Sequence, residues 1–256
     1  MRNTRKRTMT NAENFGTVNY INDVFDGRGN RVVKEFLVKL FDSSIEHSIK
    51  YMDAISEAPY AYGEKQIHSI IAPALSKVTD DRIGDTFLME RPIERRWSKK
   101  KKLNMADSHG WLDYWCRYRN VDFFIEVKHN YDSFRTENIR AQAYENWRYM
   151  NNEQLGVVRS EAKRYSQYCK GVILVSFHVF TIYENIRKTS EPKSIENKKE
   201  LIEIQKRYYE RLNPKPNWSA LWIVKRDYVE KSKTENGNQN EYYSGLMIMV
   251  NVSEII

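Results

Sequence analysis

The sequence is poor in the residues that define several classes of protein. It contains two cysteines, Cys116 and Cys169, which are too few and too widely spaced for a zinc site or a disulfide framework. No apolar run reaches the roughly 18 residues needed to cross a bilayer. The N-terminus also lacks the apolar segment of a signal peptide. We therefore expect a cytoplasmic protein that does not insert into a membrane.

The histidines and Cys116 do not indicate a metal site or a catalytic nucleophile. The five histidines show no metal-ligand spacing. His109 and His129 flank the strands described below, and they either contact a substrate or have a structural or solvent role. Cys116 lies inside a strand-like run, where a buried small side chain is expected rather than a nucleophile.

Carboxylates and lysines are abundant, and one tripeptide of this kind has a distinctive context. The pattern Asp/Glu-x-Lys is expected about three times by chance in a chain of this composition, and it occurs four times. The four begin at Glu126, Glu161, Glu191 and Glu196. Only Glu126-Val127-Lys128 ends an apolar run, Val121 to Val127, which is rich in the β-branched and aromatic residues that favour strands. The other three lie in polar or Pro-broken sequence.

Period-2 alternation places Glu126 and Lys128 on one face of this strand and Val127 on the other. In the preceding strand, roughly Trp111 to Tyr118, Asp113 shares a face with Trp115 and Arg117. A tight turn at Arg119-Asn120 makes the pair an antiparallel hairpin that brings Asp113 near the Glu126 end. The alternative is a network of cross-strand ion pairs on a solvated sheet face.

The elements around the hairpin follow a definite order. A helix from about Gly63 to Val78 has an apolar stripe, with Glu64 at its N-terminal end. Strands follow at about Asp85 to Trp97, Trp111 to Tyr118 and Val121 to Val127, then a helix from about Thr136 to Met150 and a strand from Gly171 to Phe180. The predicted order is α-β-β-β-α-β.

This order, with Glu64, Asp113, Glu126 and Lys128 at their places in it, resembles the PD-(D/E)xK nuclease superfamily over about residues 60 to 182. The resemblance implies an α/β fold of the restriction-endonuclease-like type, with a central mixed sheet flanked by helices. Two departures are visible. Leu112 stands where the family often has its Pro, and Gln142 is followed by Asn146 rather than by the Tyr of the exonuclease-like branch.

The resemblance also implies a chemistry. Asp113, Glu126 and the backbone carbonyl of Val127 would bind Mg²⁺, for which Mn²⁺ would substitute, and Glu64 would bind a second metal directly or through water. A metal-bound water would attack a DNA phosphodiester while the metal and Lys128 stabilise the developing charge, leaving 5′-phosphate and 3′-hydroxyl ends. Two rivals stay open: a catalytically silent nuclease-fold subunit that binds nucleic acid, and a protein-interaction domain whose carboxylates are paired with arginine.

Positive charge is in excess and is concentrated in two places. The formal net charge is +8 over 256 residues, and the pI is about 9.2. One concentration is an N-terminal arm, and the other is the loop leading to the Asp113 strand. The arm contains Arg2, Arg5, Lys6 and Arg7; the loop contains Arg95, Arg96, Lys99, Lys100, Lys101 and Lys102. The loop and Gln142 are candidates for contacts to DNA, and a solvated loop without a partner is the alternative.

The flanking segments predict extensions of the core. Residues 1–59 contain the arm and a helix from Asn30 to about Ala58, which either packs on the core or pairs with a second subunit. Residues 183–256 contain a helix from about Glu191 to Leu212 and two strands, about Ser219 to Val229 and Tyr242 to Val252, with a hairpin signal at Asn236-Gly237. The two strands either extend the same sheet or form a small lobe that faces the substrate. The apolar surface of these segments leads us to expect a homodimer.

Overall fold

The computed structural model describes residues 15–22, 30–80, 82–94, 109–187, 192–226, 230–233 and 239–255. The basic arm, the six basic residues between positions 95 and 102, and Asn236-Gly237 lie outside these ranges, so the predictions made for them are not addressed by the structure.

Helices and strands occur in groups along the chain. The helices are α1 (Asn30–Ile55), α2 (Glu64–Thr79), α3 (Ala141–Tyr149), α4 (Leu155–Ala162), the short α5 (Lys193–Glu196) and α6 (Lys198–Arg211). The strands are β1 (Gly16–Asn22), β2 (Thr86–Glu94), β3 (His109–Tyr118), β4 (Val121–Ser133), β5 (Gly171–Arg187), β6 (Trp218–Val224), β7 (Glu230–Lys233) and β8 (Gln239–Ile255). The α/β class is confirmed. The elements around the hairpin follow the order α2-β2-β3-β4-α3-α4-β5, in which a second helix, α4, precedes β5.

All eight strands belong to one mixed sheet. Its order is β1-β6-β8-β5-β4-β3-β2, with β7 paired to β8. The pairing of β4 with β5 is parallel, whereas the other pairs are antiparallel. A parallel pair needs a crossover connection, and α3 and α4 form it. Strands from all three sequence segments therefore join one sheet.

The sheet separates two apolar layers. On one face the helices α1 and α2 pack against side chains such as Phe123, Ile125 and Val127 of β4. On the other face α3 and α6 cover the sheet around Phe180, and α4 covers Phe124. Because helices cover both faces of the mixed sheet, the apolar residues on both faces of its central strands are buried.

Helix α1 contributes its apolar side to this core. Its buried residues include Val33, Phe36, Leu37, Leu40, Phe41 and Ile45, each at most 1% exposed. The ring of Phe36 stacks on that of Phe123, with 4.1 Å between centroids. Helix α1 therefore packs on the core. Its apolar surface, which was part of the reason to expect a homodimer, is buried within the chain. None of the helices in the described part of the chain is long and apolar enough to cross a membrane.

Several predicted boundaries were wrong. Strands β4 and β5 continue to Ser133 and Arg187 rather than ending at Val127 and Phe180, and β6 ends at Val224 rather than Val229. The helix after β4 begins at Ala141 rather than Thr136, since the Thr136 amide closes a turn on Ser133 and Arg140 is extended. It also runs beyond Met150, through a π-helical turn (Met150–Gln154) into α4. The helix predicted from Glu191 to Leu212 is divided into α5 and α6 at Asn197, whose side chain accepts a hydrogen bond from the Glu200 amide and so caps α6.

Candidate functional site

The site predicted from the sequence lies where β3 and β4 stop pairing. Their backbone pairing runs from the intervening turn as far as Tyr114 opposite Ile125. One residue further along each strand are Asp113 and Glu126. There the carboxylate of Asp113 accepts a hydrogen bond from the backbone amide of Val127, with 2.7 Å between Oδ2 and N. The Asp113 carboxylate therefore lies beside the peptide bond that joins Glu126 to Val127.

The hairpin turn and an irregularity set up this divergence. Arg119 and Asn120 have φ values of 51° and 62°, the left-handed pair that a two-residue hairpin turn requires. At the other end of the hairpin, strict alternation of faces fails, because Leu112 packs under α4 whereas Tyr114 packs under α1 and α2. In the neighbouring strand β2, Glu90 has a φ of 46°. A left-handed non-glycine residue inside a strand is strained, and such residues concentrate at functional sites.

Lys128 is held by the first residue of α2. Its Nζ lies 3.2 Å from Oε1 of Glu64, with the Lys128 and Glu64 side chains 21% and 42% exposed. The sequence places both residues at the site, and the structure brings them into contact. It pairs the Glu64 carboxylate with an ammonium, whereas the resemblance assigned that carboxylate to a second metal.

Glu126 is buried, with 2% exposure, next to a polar layer under the helical crossover. Its neighbour on β5 is Ser176, and the next residue across the sheet is Asn251 of β8. Asn151, in the π-helical turn, accepts hydrogen bonds from Ser176 Oγ at 2.6 Å and from Asn251 Nδ2 at 2.9 Å. π-helical turns inside helices often occur at functional sites, and this one brings an amide to the strand beside Glu126.

A second polar chain runs from the surface of α3 to the position beside Lys128. Gln142 Nε2 donates to Asn146 Oδ1 at 2.9 Å, and Asn146 Nδ2 donates to Asn130 Oδ1 at 3.0 Å. The same Asn130 oxygen lies 2.7 Å from Nε2 of His178, the residue that pairs with Lys128 across β4 and β5. Gln142 is exposed and Asn146 is half-buried. Reasoning from sequence identified Gln142 but missed Asn130 and His178, because polar residues buried inside long apolar strands carry no periodic signal.

Both histidines near Lys128 are neutral at neutral pH. Burial lowers the pKa of His129 to about 4, although the negative charge of Glu64 opposes the shift. Burial, followed by the charges of His129 and Lys128, lowers the pKa of His178 to about 3. Because Asn130 Oδ1 is an acceptor, His178 Nε2 is the donor, and its buried Nδ1 has no hydrogen-bond partner. His129 is thus a buried residue whose Nε2 bonds Thr181 Oγ1 at 3.0 Å.

The structure also describes the environments of the two cysteines and of Trp111. Cys116 is fully buried, and burial raises the pKa of its thiol far above the usual range, which confirms a packing role. Both cysteines are free thiols. Trp111, two residues before Asp113, is 59% exposed, a large apolar side chain next to the site that the sequence reading did not single out.

The donor set fits a cation held by two carboxylates. Among the described residues, no group of three or more His, Cys, Asp and Glu side chains is arranged to hold a metal ion. Mg²⁺ often has only one or two protein carboxylates and keeps several waters. An ionised carboxylate offers about four lone-pair positions, and the Val127 amide uses one position of Asp113. Asp113 can therefore coordinate a cation without losing its bond to the backbone.

No family model, curated protein or solved structure matches the chain.

Proposed function

We propose that the protein is a metal-dependent nuclease, like the PD-(D/E)xK endonucleases that it resembles. It hydrolyses DNA phosphodiester bonds, and Asp113, Glu126 and Lys128 form the active site. The observation that carries the proposal is the contact between Asp113 and the Val127 amide at the point where β3 and β4 diverge. It puts two carboxylates and an ammonium from consecutive strands at one end of the hairpin. The order α2-β2-β3-β4-α3-α4-β5, with β4 and β5 parallel, supports the restriction-endonuclease-like topology.

The proposed role of each residue follows from its environment. Asp113 and Glu126, with the carbonyl of Val127, would hold Mg²⁺ or Mn²⁺. When bound, this cation supplies a water of lowered pKa and positive charge for the phosphate. Lys128 is partly exposed and is oriented by Glu64, so its ammonium can contact a phosphate oxygen on which charge develops. Burial of Glu126 keeps water away from its carboxylate and strengthens its electrostatic interactions.

Two surface features support a nucleic acid as the substrate. The exposed indole of Trp111 offers a face on which a nucleobase can stack. Gln142 presents an amide at the surface of α3, at the end of the hydrogen-bonded chain that reaches His178. Stacking and amide contacts are both used to hold single strands and bases beside a phosphate.

The test is cleavage of plasmid and single-stranded DNA in Mn²⁺ by wild type and Glu126→Gln, with Glu161→Gln as the matched control. Glu161 begins another Glu-x-Lys tripeptide and forms an ion pair with Arg91 at 3.5 Å. We expect cleavage to be lost in Glu126→Gln and kept in Glu161→Gln. Wild type that binds DNA but does not cut it would favour the silent nucleic-acid-binding subunit, and wild type that does neither would favour a protein-interaction domain.

A further inference from the structure

A pocket lies toward the edge of the sheet opposite to β2, where β1 pairs with β6 and α6 begins. Its volume is about 310 Å³, and its lining includes Thr17, Lys198, Lys225 and Arg226. We call it the Lys198 pocket. The two strands that border it are held in register, with Gly16 opposite Val224.

Among the residues that the structure describes, every charged residue that lines the Lys198 pocket is a cation. Lys198 Nζ donates to Thr17 Oγ1 at 2.9 Å, so its ammonium is fixed at the pocket by a bond from α6 to β1. Lys225 and Arg226 follow β6 directly and are exposed. Like charges around one small pocket repel one another, and an anion would be attracted by the exposed ammonium groups of Lys198 and Lys225.

The position of Lys198 in its helix adds a second electrostatic conflict. Lys198 is the first residue of α6, and a cation at a helix N-terminus opposes the helix dipole. Sequences usually avoid such conflicts except where function requires them. An anion in the Lys198 pocket would be attracted by the ammonium of Lys198.

We propose that the Lys198 pocket binds a phosphate group. Its volume is at the lower end of the roughly 300 to 1,000 Å³ typical of small-molecule sites, so it suits a phosphate with a small attached group. The phosphate belongs either to a free mononucleotide-sized molecule or to a nucleic-acid strand. Bidentate arginine contacts and point contacts from lysine are the usual means of holding a phosphate.

This site is separate from the candidate active site. From β1 to β4 there are four strand spacings, through β6, β8 and β5, which is about 19 Å at roughly 4.8 Å per spacing. The phosphate site therefore does not rest on the proposed nuclease function, and either can fail without the other.

Calorimetry at constant ionic strength tests the proposal, with EDTA present to prevent cleavage. The probes are inorganic phosphate, deoxyadenosine 5′-monophosphate and a single-stranded 12-mer. The proteins are full-length wild type, Lys198→Gln and the matched control Lys199→Gln, which removes a neighbouring exposed lysine of α6 that does not line the pocket. Glutamine at position 198 can still hydrogen-bond Thr17, and melting temperatures measured without a probe check that both variants fold.

We expect at least one probe to bind wild type and Lys199→Gln alike, and to bind Lys198→Gln about tenfold more weakly. If phosphate or the mononucleotide shows this pattern, the pocket takes a free phosphorylated molecule; if only the 12-mer shows it, the pocket takes a nucleic-acid phosphate. Absence of binding for all three probes, or equal weakening in Lys198→Gln and Lys199→Gln, would overturn the proposal.

Discussion

The Asp113 carboxylate and the Val127 amide are 2.7 Å apart, and their hydrogen bond joins β3 to β4 beyond the last backbone pair, Tyr114 opposite Ile125. A side chain here replaces a bond of the sheet ladder. Because Glu126 precedes Val127 in the chain, the bond joins Asp113 to the peptide that follows Glu126. The proposed cation site is therefore built into the end of the hairpin.

Asp113→Asn should abolish metal binding while preserving the fold. Asparagine keeps an oxygen that accepts the Val127 amide proton, but it removes the charge that a divalent cation needs. Calorimetry with Mn²⁺ should give heat for wild type and for the control Asp53→Asn, an exposed carboxylate of α1, and no heat for Asp113→Asn. Equal heats in all three proteins would place the metal elsewhere.

Glu64→Gln should slow cleavage with little effect on stability. The Lys128 and Glu64 side chains are partly exposed, so losing this ion pair should cost about 0.5 kcal/mol or less of unfolding free energy. Lys128 would then lose the partner that orients it toward the phosphate. Single-turnover rates should fall about tenfold or more, whereas Glu203→Gln, which breaks the exposed pair with Lys206, should change neither quantity. Unchanged rates in Glu64→Gln would contradict a positioning role.

Acidification should destabilise the protein below about pH 6.5, the ordinary pKa of histidine. His129 and His178 have folded-state pKa values of about 4 and about 3, so the unfolded chain binds more protons between those values and 6.5. Asp132, whose pKa is raised to about 6 by burial, works in the opposite direction. The net loss from pH 7 to pH 5 should be about 2 kcal/mol.

Chemical denaturation of wild type and His129→Gln measures this pH dependence. Glutamine retains a donor for Thr181 and cannot be protonated in this range, so the variant should lose less stability than wild type on acidification. A wild-type stability that is constant or rises from pH 7 to pH 5 would show that the histidines are not the dominant groups.

Asp132→Asn should stabilise the protein at alkaline pH. Asp132 is fully buried, and burial raises the pKa of its carboxyl more than Tyr208, Arg140 and the Ser133 backbone lower it. Its pKa is raised from 3.8 to about 6, so ionisation above pH 6 costs stability that a neutral amide avoids. The gain should be about 2 kcal/mol at pH 8 and much smaller at pH 4.5. Equal changes in melting temperature at the two pH values would contradict an ionisation effect.

Elements with strong periodic patterns were predicted well from the sequence. The apolar stripe of α2 predicted a helix from Gly63 to Val78, and the structure has Glu64–Thr79. The apolar run from Val121 to Val127 predicted the first half of β4, which continues to Ser133. The strand β1 was missed, since its seven residues are stabilised by pairing with β6, about 200 positions away in the sequence. Pairing over such separations leaves no local signal.

The candidate site was predicted only in part. Sequence spacing brought Asp113 toward Glu126, but regular alternation could not predict the break between Leu112 and Tyr114. Nor could it predict the contact between Glu64 and Lys128. Such contacts depend on how α2 and the crossover helices pack against the sheet, which the spacing of residues in β3 and β4 does not specify.

Lys128→Ala gives the most direct test of the proposed active site, with Lys163→Ala as the matched control. Lys163 ends the Glu161-Ala162-Lys163 tripeptide, at an exposed position just beyond α4. Supercoiled, linear, single-stranded and branched DNA are incubated with each protein in Mn²⁺, and single-turnover rates and DNA affinities are measured separately. Wild type and Lys163→Ala should cut at least one of these substrates, whereas Lys128→Ala should bind it with similar affinity and cut it at least 100-fold more slowly. Equal cleavage by Lys128→Ala and wild type would contradict the proposed active site.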